Sequence, residues 1–127
     1  MNQVHEIRLH NERIIGKIGS YVVGMDCQLN DATIDTTGGV TIGDRVHFGH
    51  QVMILTTVHP PEIRNGKERS RTIEVSPIHI EKDAYIGSRA IILKGVTIGK
   101  GSYIGAGSSP RPAPHGGREP PDVRNGA

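Results

Sequence analysis

From Ile80 onward one side chain returns at a fixed interval: Ile80, Ile86, Ile92, Ile98 and Ile104 stand six residues apart without a gap. A helix brings a side chain back to the same face every 3.6 residues and a strand every two, so neither asks for a period of six. Four places after each isoleucine the residue is small or a valine, in the series Ala84, Ala90, Val96, Ser102 and Ser108. An upstream block obeys the same rule, with Ile42, Phe48 and Ile54 followed at the fourth place by Val46, Val52 and Val58. A short fixed period marks a repeat architecture in which each unit buries its apolar face only against its neighbours, and a hexapeptide period marks a parallel β-helix. Three hexads, about 18 residues, close one triangular coil. The large aliphatic points inward, the small residue sits near a corner, and glycine takes the tight backbone. A sandwich of ordinary strands would need period-two alternation and a turn every 8 to 12 residues or so.

Composition agrees with an all-β chain of one domain. Of 127 residues only 3% are aromatic, with no Trp and the single Phe48, so the core must be Ile, Val and Ala; 17 glycines suit tight turns and do not suit long helices. The charge of +2 is mild and its positive residues form no run, which gives no support to nucleic-acid binding. Cys27 is the one cysteine, so no internal disulfide can form, and it reads as a small packing residue and not a nucleophile. With no signal peptide and no apolar stretch long enough to span a bilayer, the expected compartment is the cytoplasm.

The phase divides the chain. Residues 1–17 are weakly amphipathic and read as a lead-in; 18–108 read as the repeat domain, with an irregular first coil between Ile18 and Val40, where the phase is poor. Residues 109–127, rich in Pro, Gly and Arg, cannot continue the hexads and are expected to be disordered. Within the repeats, 56–77 ("TTVHPPEIRNGKERSRTIEVSP") is too long and too polar for one more hexad and reads as a protruding loop. At its root stands His59, held before Pro60 and so biased to extended backbone. A histidine fixed at a loop root beside a regular wall is a candidate general base, because its ordinary pKa near 6.5 lets it take a proton at neutral pH. The chain has seven histidines, and His79, on a regular hexad face, reads as merely exposed.

The segments "VTIGDRVHFGHQVMILTTVHP" (Val40 to Pro60), "RNGKE" (Arg64 to Glu68), "SPIHIEKDAYIGSRAIILKGVTIG" (Ser76 to Gly99) and "YIGAGS" (Tyr103 to Ser108) resemble the hexapeptide-repeat acyltransferases, most closely the maltose, galactoside and nodulation-type sugar O-acetyltransferases. The resemblance implies a left-handed parallel β-helix, an exception to the usual crossover hand, assembled as a homotrimer with its sites in clefts between copies. It implies acetyl-CoA as co-substrate, a sugar-like acceptor, and His59 as the base that deprotonates the acceptor hydroxyl. The family's Asn-x-Asn-Cys-x-x-Leu-Asp stretch falls on "QLNDATID", which puts Gln28, Asn30 and Asp35 beside the acceptor and acetyl group. Tyr85 stands where the family commonly has Trp, and would flank the pantetheine arm. The arm itself would lie along the backbone at Gly87, Ser88, Gly105 and Ala106.

Three other readings stay open at this point. The same His could serve an amino-sugar N-acetyltransferase. The departure of Ser109–Ala127 from the family's ending leaves room for a non-catalytic trimeric scaffold or remnant. The step Gly49-His50, with His47 nearby, also resembles the zinc-binding γ-class carbonic anhydrases. That class would need a second His where Leu55 stands and a Gly-His at Gly87-Ser88, so no metal is expected.

Overall fold

The computed structural model describes residues 11–59 and 73–111, in which every regular element is a short strand. Eleven of the thirteen strands fall into three parallel sheets. The first holds β1 (Arg13–Ile15), β3 (Thr33–Asp35), β6 (Met53–Leu55) and β11 (Ile91–Leu93). The second holds β2 (Tyr21–Val23), β4 (Val40–Ile42), β9 (Ile78–Ile80) and β12 (Thr97–Ile98), and the third β5 (His47–Phe48), β10 (Tyr85–Ile86) and β13 (Tyr103–Ile104). A single parallel bridge, Gln28 to His47, extends the third sheet by one rung. Read along the chain, the strands visit the three sheets in strict rotation. This is the arrangement that a hexapeptide period asks for.

Register shows why the phase is clear in one half and poor in the other. Tyr85 pairs with Tyr103 and His79 with Thr97, an offset of 18, which is three hexads. Arg13 pairs with Thr33 and Thr33 with Met53, an offset of 20, while Tyr21 pairs with Val40 at 19. The early turns therefore carry one or two extra residues each. That breaks the hexad count in the sequence but leaves the sheets intact, so the first turn is paired in all three sheets and β1 begins within the segment that reads as a lead-in.

The isoleucines form stripes, one inside each sheet. Ile34, Ile54 and Ile92 are successive partners in the first, Ile42, Ile80 and Ile98 in the second, and Phe48, Ile86 and Ile104 in the third. All are at most 2% exposed, as are Ala84, Ala90, Val96 and Ser102 of the small-residue series. Val58 departs from the rule. It lies in β7 (Thr57–Val58), which pairs antiparallel with β8 (Glu74–Val75), outside the three sheets and only half-buried. Pro110 departs in the other direction. It stands six residues after Ile104 and is buried, while Ser108 accepts a hydrogen bond from the Ile91 nitrogen at 2.9 Å. Its ring fills the next inward place, yet it has no N–H to offer a neighbouring strand, so it continues the core without continuing the ladder. Residues 112–127 of the expected disordered tail lie outside the described residues.

Two kinds of backbone demand set the corners. Left-handed φ values recur at Asp83, Arg89, Gly95, Gly101 and Gly107, again six apart, three places after each isoleucine. The glycine directly after an isoleucine serves close approach instead. A Cβ on Gly87 would lie 2.5 Å from the Ala106 nitrogen of the next turn, and one on Gly43 2.7 Å from that of Lys82.

The chain leaves this wall after β6 and returns before β9, and the register jumps from 18 to 38, as in Met53 opposite Ile91. The extra 20 residues are the excursion. Its root is held by Asp35, 3% exposed, at the end of β3. One carboxylate oxygen accepts from the Thr37 nitrogen at 3.0 Å and its hydroxyl at 2.7 Å; the other accepts from the Thr57 hydroxyl at 2.7 Å and the Thr56 nitrogen at 3.2 Å. The buried Thr56 hydroxyl donates to the Asp35 carbonyl and accepts from the Gly38 nitrogen. Across the root the Ser76 nitrogen donates to the Thr56 carbonyl, and Lys94 pairs with Glu74 at 3.2 Å. Burial by itself pushes the Asp35 carboxyl up, but the donors from Thr37, Thr57 and Thr56 outweigh it and hold the group below its ordinary value.

Two stability measurements check these features. Gly87→Ala should cost about 1–3 kcal/mol, because the added methyl meets backbone that cannot yield. Gly105→Ala, whose Cβ would meet only the Ser108 hydroxyl at 3.4 Å, should stay within about 0.5 kcal/mol. Because the folded Asp35 pKa is depressed, its contribution is present above the unfolded value near 4 and is lost as pH falls through the folded value. Asp35→Asn should therefore lower the melting temperature at pH 7 and flatten the loss of stability as pH falls below about 4.

Candidate active site

Each sheet turns a column of side chains outward, and the third sheet's column is Gln28, His47, Tyr85 and Tyr103, all exposed. The rings of Tyr85 and Tyr103 lie one turn apart with centroids 5.2 Å from each other and planes within 11°, a stacked pair. Tyr85 thus does not stand alone, as its motif suggests. Its partner was signalled in the sequence by the 18-residue spacing of the two tyrosines, which the isoleucine ladder overshadowed.

The connection from the third sheet to the first carries a second row. Asn30 has φ +50° and donates its amide to the carbonyls of Phe48 at 2.7 Å and Gly49 at 3.3 Å in the turn above. His50, Ser88 and Ala106 follow at the same place in successive turns, two residues beyond the paired Phe48, Ile86 and Ile104. The Ser88 hydroxyl accepts from the His50 nitrogen at 2.9 Å, so the donor in that turn is satisfied. The N–H groups of Ser88 and Ala106 have no partner among the described residues. Ser88 is half-buried and Ala106 exposed, and Gly87 and Gly105 beside them bring no Cβ to crowd the row. The sequence places Tyr85, Gly87, Ser88, Gly105 and Ala106 together, and the structure brings all five onto two stacked turns of one face and its corner.

His59 lies elsewhere. It is exposed, two residues beyond Thr57, and so follows the first sheet and not the third. Asp35 shares that location through Thr57, whereas Gln28 and Asn30 share the location of the amide row. The acceptor residues suggested by the sequence are therefore split: one beside His59's root, two on the face and corner that carry Tyr85 and the amide row two turns on. The first sheet spans the distance between the groups. Thr37, Thr56 and Thr57 escaped the sequence reading, although "DTT" and "LTT" recur 20 residues apart, one early turn, and bring the same hydroxyls to the same corner. Residues 60–72, which the sequence assigns to the loop, lie outside the described residues.

Other polar groups are accounted for by packing. The Tyr21 hydroxyl donates to the buried Glu12 at 2.8 Å, and burial together with that carboxylate raises its pKa well above the ordinary value, so it stays a donor. Cys27 is buried with its thiol 3.1 Å from the Gly43 carbonyl. Asp31 accepts from the Gln51 nitrogen at 2.8 Å, with the His50 ring at 3.6 Å; that backbone donor and His50 lower its pKa. No group of three or more His, Cys, Asp or Glu among the described residues is placed to hold a metal ion, and no helix among them is long and apolar enough to cross a membrane.

Comparison with known proteins agrees with this repeat geometry. Residues 77–109 match the family described as bacterial transferase hexapeptide (six repeats). The chain is 35% identical over 96 residues to the galactoside O-acetyltransferase of Lactococcus lactis, covering 73% of this chain and 44% of that protein. It is 41% identical over 69 residues to the galactoside O-acetyltransferase of Escherichia coli, 54% of this chain and 33% of that one. A 2,3,4,5-tetrahydropyridine-2,6-dicarboxylate N-acetyltransferase of Staphylococcus aureus matches at 36% over 68 residues, 54% of this chain and 23% of that protein. The chain thus spans less than half the length of these relatives, and no solved structure matches it significantly. The chain carries the hexapeptide repeat of the bacterial transferases and is similar in sequence to acetyltransferases of sugars and of other small molecules.

Proposed function

We propose that the chain is an acetyltransferase that moves an acetyl group from acetyl-CoA to a hydroxyl of a sugar or glycoside, with His59 as general base. The observation that carries the reading is the pairing of two features in a chain similar to galactoside O-acetyltransferases: a histidine just beyond a clamped loop root, and a glycine-flanked row of backbone donors without a partner among the described residues. The N–H groups of Ser88 and Ala106 suit the carbonyls of a pantetheine arm, with Gly87 and Gly105 giving it room and Tyr85 flanking it. The imidazole of His59 takes the proton of the acceptor hydroxyl. The freed oxygen attacks the thioester carbonyl, the carbon–sulfur bond breaks, and the imidazolium returns its proton to the leaving thiolate. Gln28, exposed beside the amide row, faces the acceptor side, and Asn30 shapes the same corner.

The rotation of strands supports a parallel β-helix, and the resemblance to the hexapeptide-repeat acyltransferases supports a left hand for it. The separation of His59 from the amide row by the first sheet favours a homotrimer, in which a copy offering His59 meets a neighbour offering Tyr85, Ser88 and Ala106. Similarity to an N-acetyltransferase of Staphylococcus aureus favours a second reading, with an amine in place of the hydroxyl; the same base serves both.

Thiol release from acetyl-CoA with a panel of sugars and amino-sugars tests the reading. Turnover with a sugar hydroxyl, a CoA-induced rise in melting temperature, and a fall of about 10²- to 10⁴-fold in kcat for His59→Ala are expected. No turnover on any acceptor and no thermal shift would sink it. The amide row has its own test. Since the Ser88 hydroxyl closes the His50 nitrogen, Ala106→Ser should close the Ser88 nitrogen in the same way, raising KM for acetyl-CoA about 5- to 10-fold without loss of thermal stability.

A further inference from the structure

We propose that Asp35 is a positioning residue that fixes the root of the excursion and thereby the place of His59, and that it does not bind the acceptor. This rests on His59 being the general base. An ionised carboxylate offers about four acceptor positions, and at Asp35 four donors fill them: the nitrogen and hydroxyl of Thr37, the nitrogen of Thr56 and the hydroxyl of Thr57. With 3% of the residue exposed, nothing is left for a sugar hydroxyl to reach.

The arrangement is specific for a carboxylate. Each oxygen faces one backbone N–H, that of Thr37 or that of Thr56, and a backbone N–H cannot reverse its direction. An asparagine in either orientation would set its own NH2 against one of them. The Thr57 hydroxyl then ties the same carboxylate to the strand that ends one residue before His59. Around this point the backbone is packed without slack: a Cβ on Gly38 would lie 2.7 Å from Val75, 2.9 Å from the Ser76 carbonyl and 3.0 Å from Thr56. Both limbs of the excursion are thus seated on the segment Asp35–Gly38. A base misplaced by about 1 Å can lose on the order of 10²-fold in rate, so a clamp at this point controls turnover without touching either substrate.

The test compares wild type, Thr57→Val, Thr57→Ser, Asp35→Asn and His59→Ala as full chains. Valine keeps the shape of threonine and removes the donor. Thr57→Val is expected to lower kcat about 10- to 100-fold with the acceptor KM within about 2-fold, Thr57→Ser to recover most of the loss, and Asp35→Asn to follow Thr57→Val. The second readout is the ring C–H cross-peak of His59 by NMR, assigned from the signal missing in His59→Ala. It should move in Thr57→Val, as the ring leaves its wild-type surroundings, and return in Thr57→Ser. Loss carried by acceptor KM in Asp35→Asn, wild-type kcat in Thr57→Val, or an unmoved cross-peak overturns the proposal. If the wild type turns over no acceptor, the acetyltransferase reading fails by that result, and the His59 cross-peak alone decides whether the clamp positions the ring.

Discussion

Stacking of one turn of chain on the next through parallel backbone hydrogen bonds is the constraint on which every other feature of this molecule depends. Adjacent strands must lie about 4.8 Å apart, and with strands of two or three residues no single turn can hold itself in place. Side chains between turns must therefore be absent or identical in kind. Glycine follows isoleucine where a Cβ would strike the next turn, and isoleucine follows isoleucine up two of the stripes, with Phe48 below two isoleucines in the third, because similar apolar shapes stack without a void. The left-handed corners at six-residue intervals belong to the same requirement, since a turn that bent differently would carry its strands out of register.

A wall so regular has little chemistry in it. Its outward columns are short and its backbone is spent on the neighbouring turns, so function can enter only where stacking is interrupted or incomplete. The excursion after β6 is the interruption. It adds 20 residues without disturbing the register on either side, because Asp35, Thr56 and Thr57 fix the point of departure and Ser76 the point of return. A buried carboxylate is a costly group to place there, and the four donors that satisfy it are what make the departure point stiff.

Legibility in the sequence followed locality. The isoleucine stripes were readable because every hexad obeys the same local rule, and the root of the excursion, where His59 stands, was readable because a proline and a break in phase mark it. The first turns were not, since 19 or 20 residues per turn hide the period while preserving the pairing. Pro110 misled for a related reason: proline signals an end to hydrogen bonding, and it is one, but its ring still fits the inward place that the next isoleucine would take. The Asp35 network was out of reach of any local pattern, because Asp35 and Thr57 are 22 residues apart and meet only once the turns have stacked. The roles of Asn30 and Asp35 also exceed what the motif conveys. The motif supplies their order, while the structure shows both engaged in joining one turn to the next.

The incomplete stacking is at the corner after the third sheet. There the fate of each amide is decided one turn away: His50 is closed because serine occupies position 88, and Ser88 is open because alanine occupies position 106. Among the described residues the N–H of Ser88 is left by the absence of a hydroxyl at position 106, not by any local distortion, and with the N–H of Ala106 it stands on turns paired in register with their neighbours. A flexible ligand bound by such a row would surrender its own freedom while the protein surrendered almost none, which is the cheapest division of the entropy of binding. The same stiffness forbids the row to reach His59 within one chain, because the first sheet lies between them and cannot fold away. On the proposed reading, a site that joins the two would be made from two copies, so that the wall that makes the amides precise would also make a single copy insufficient.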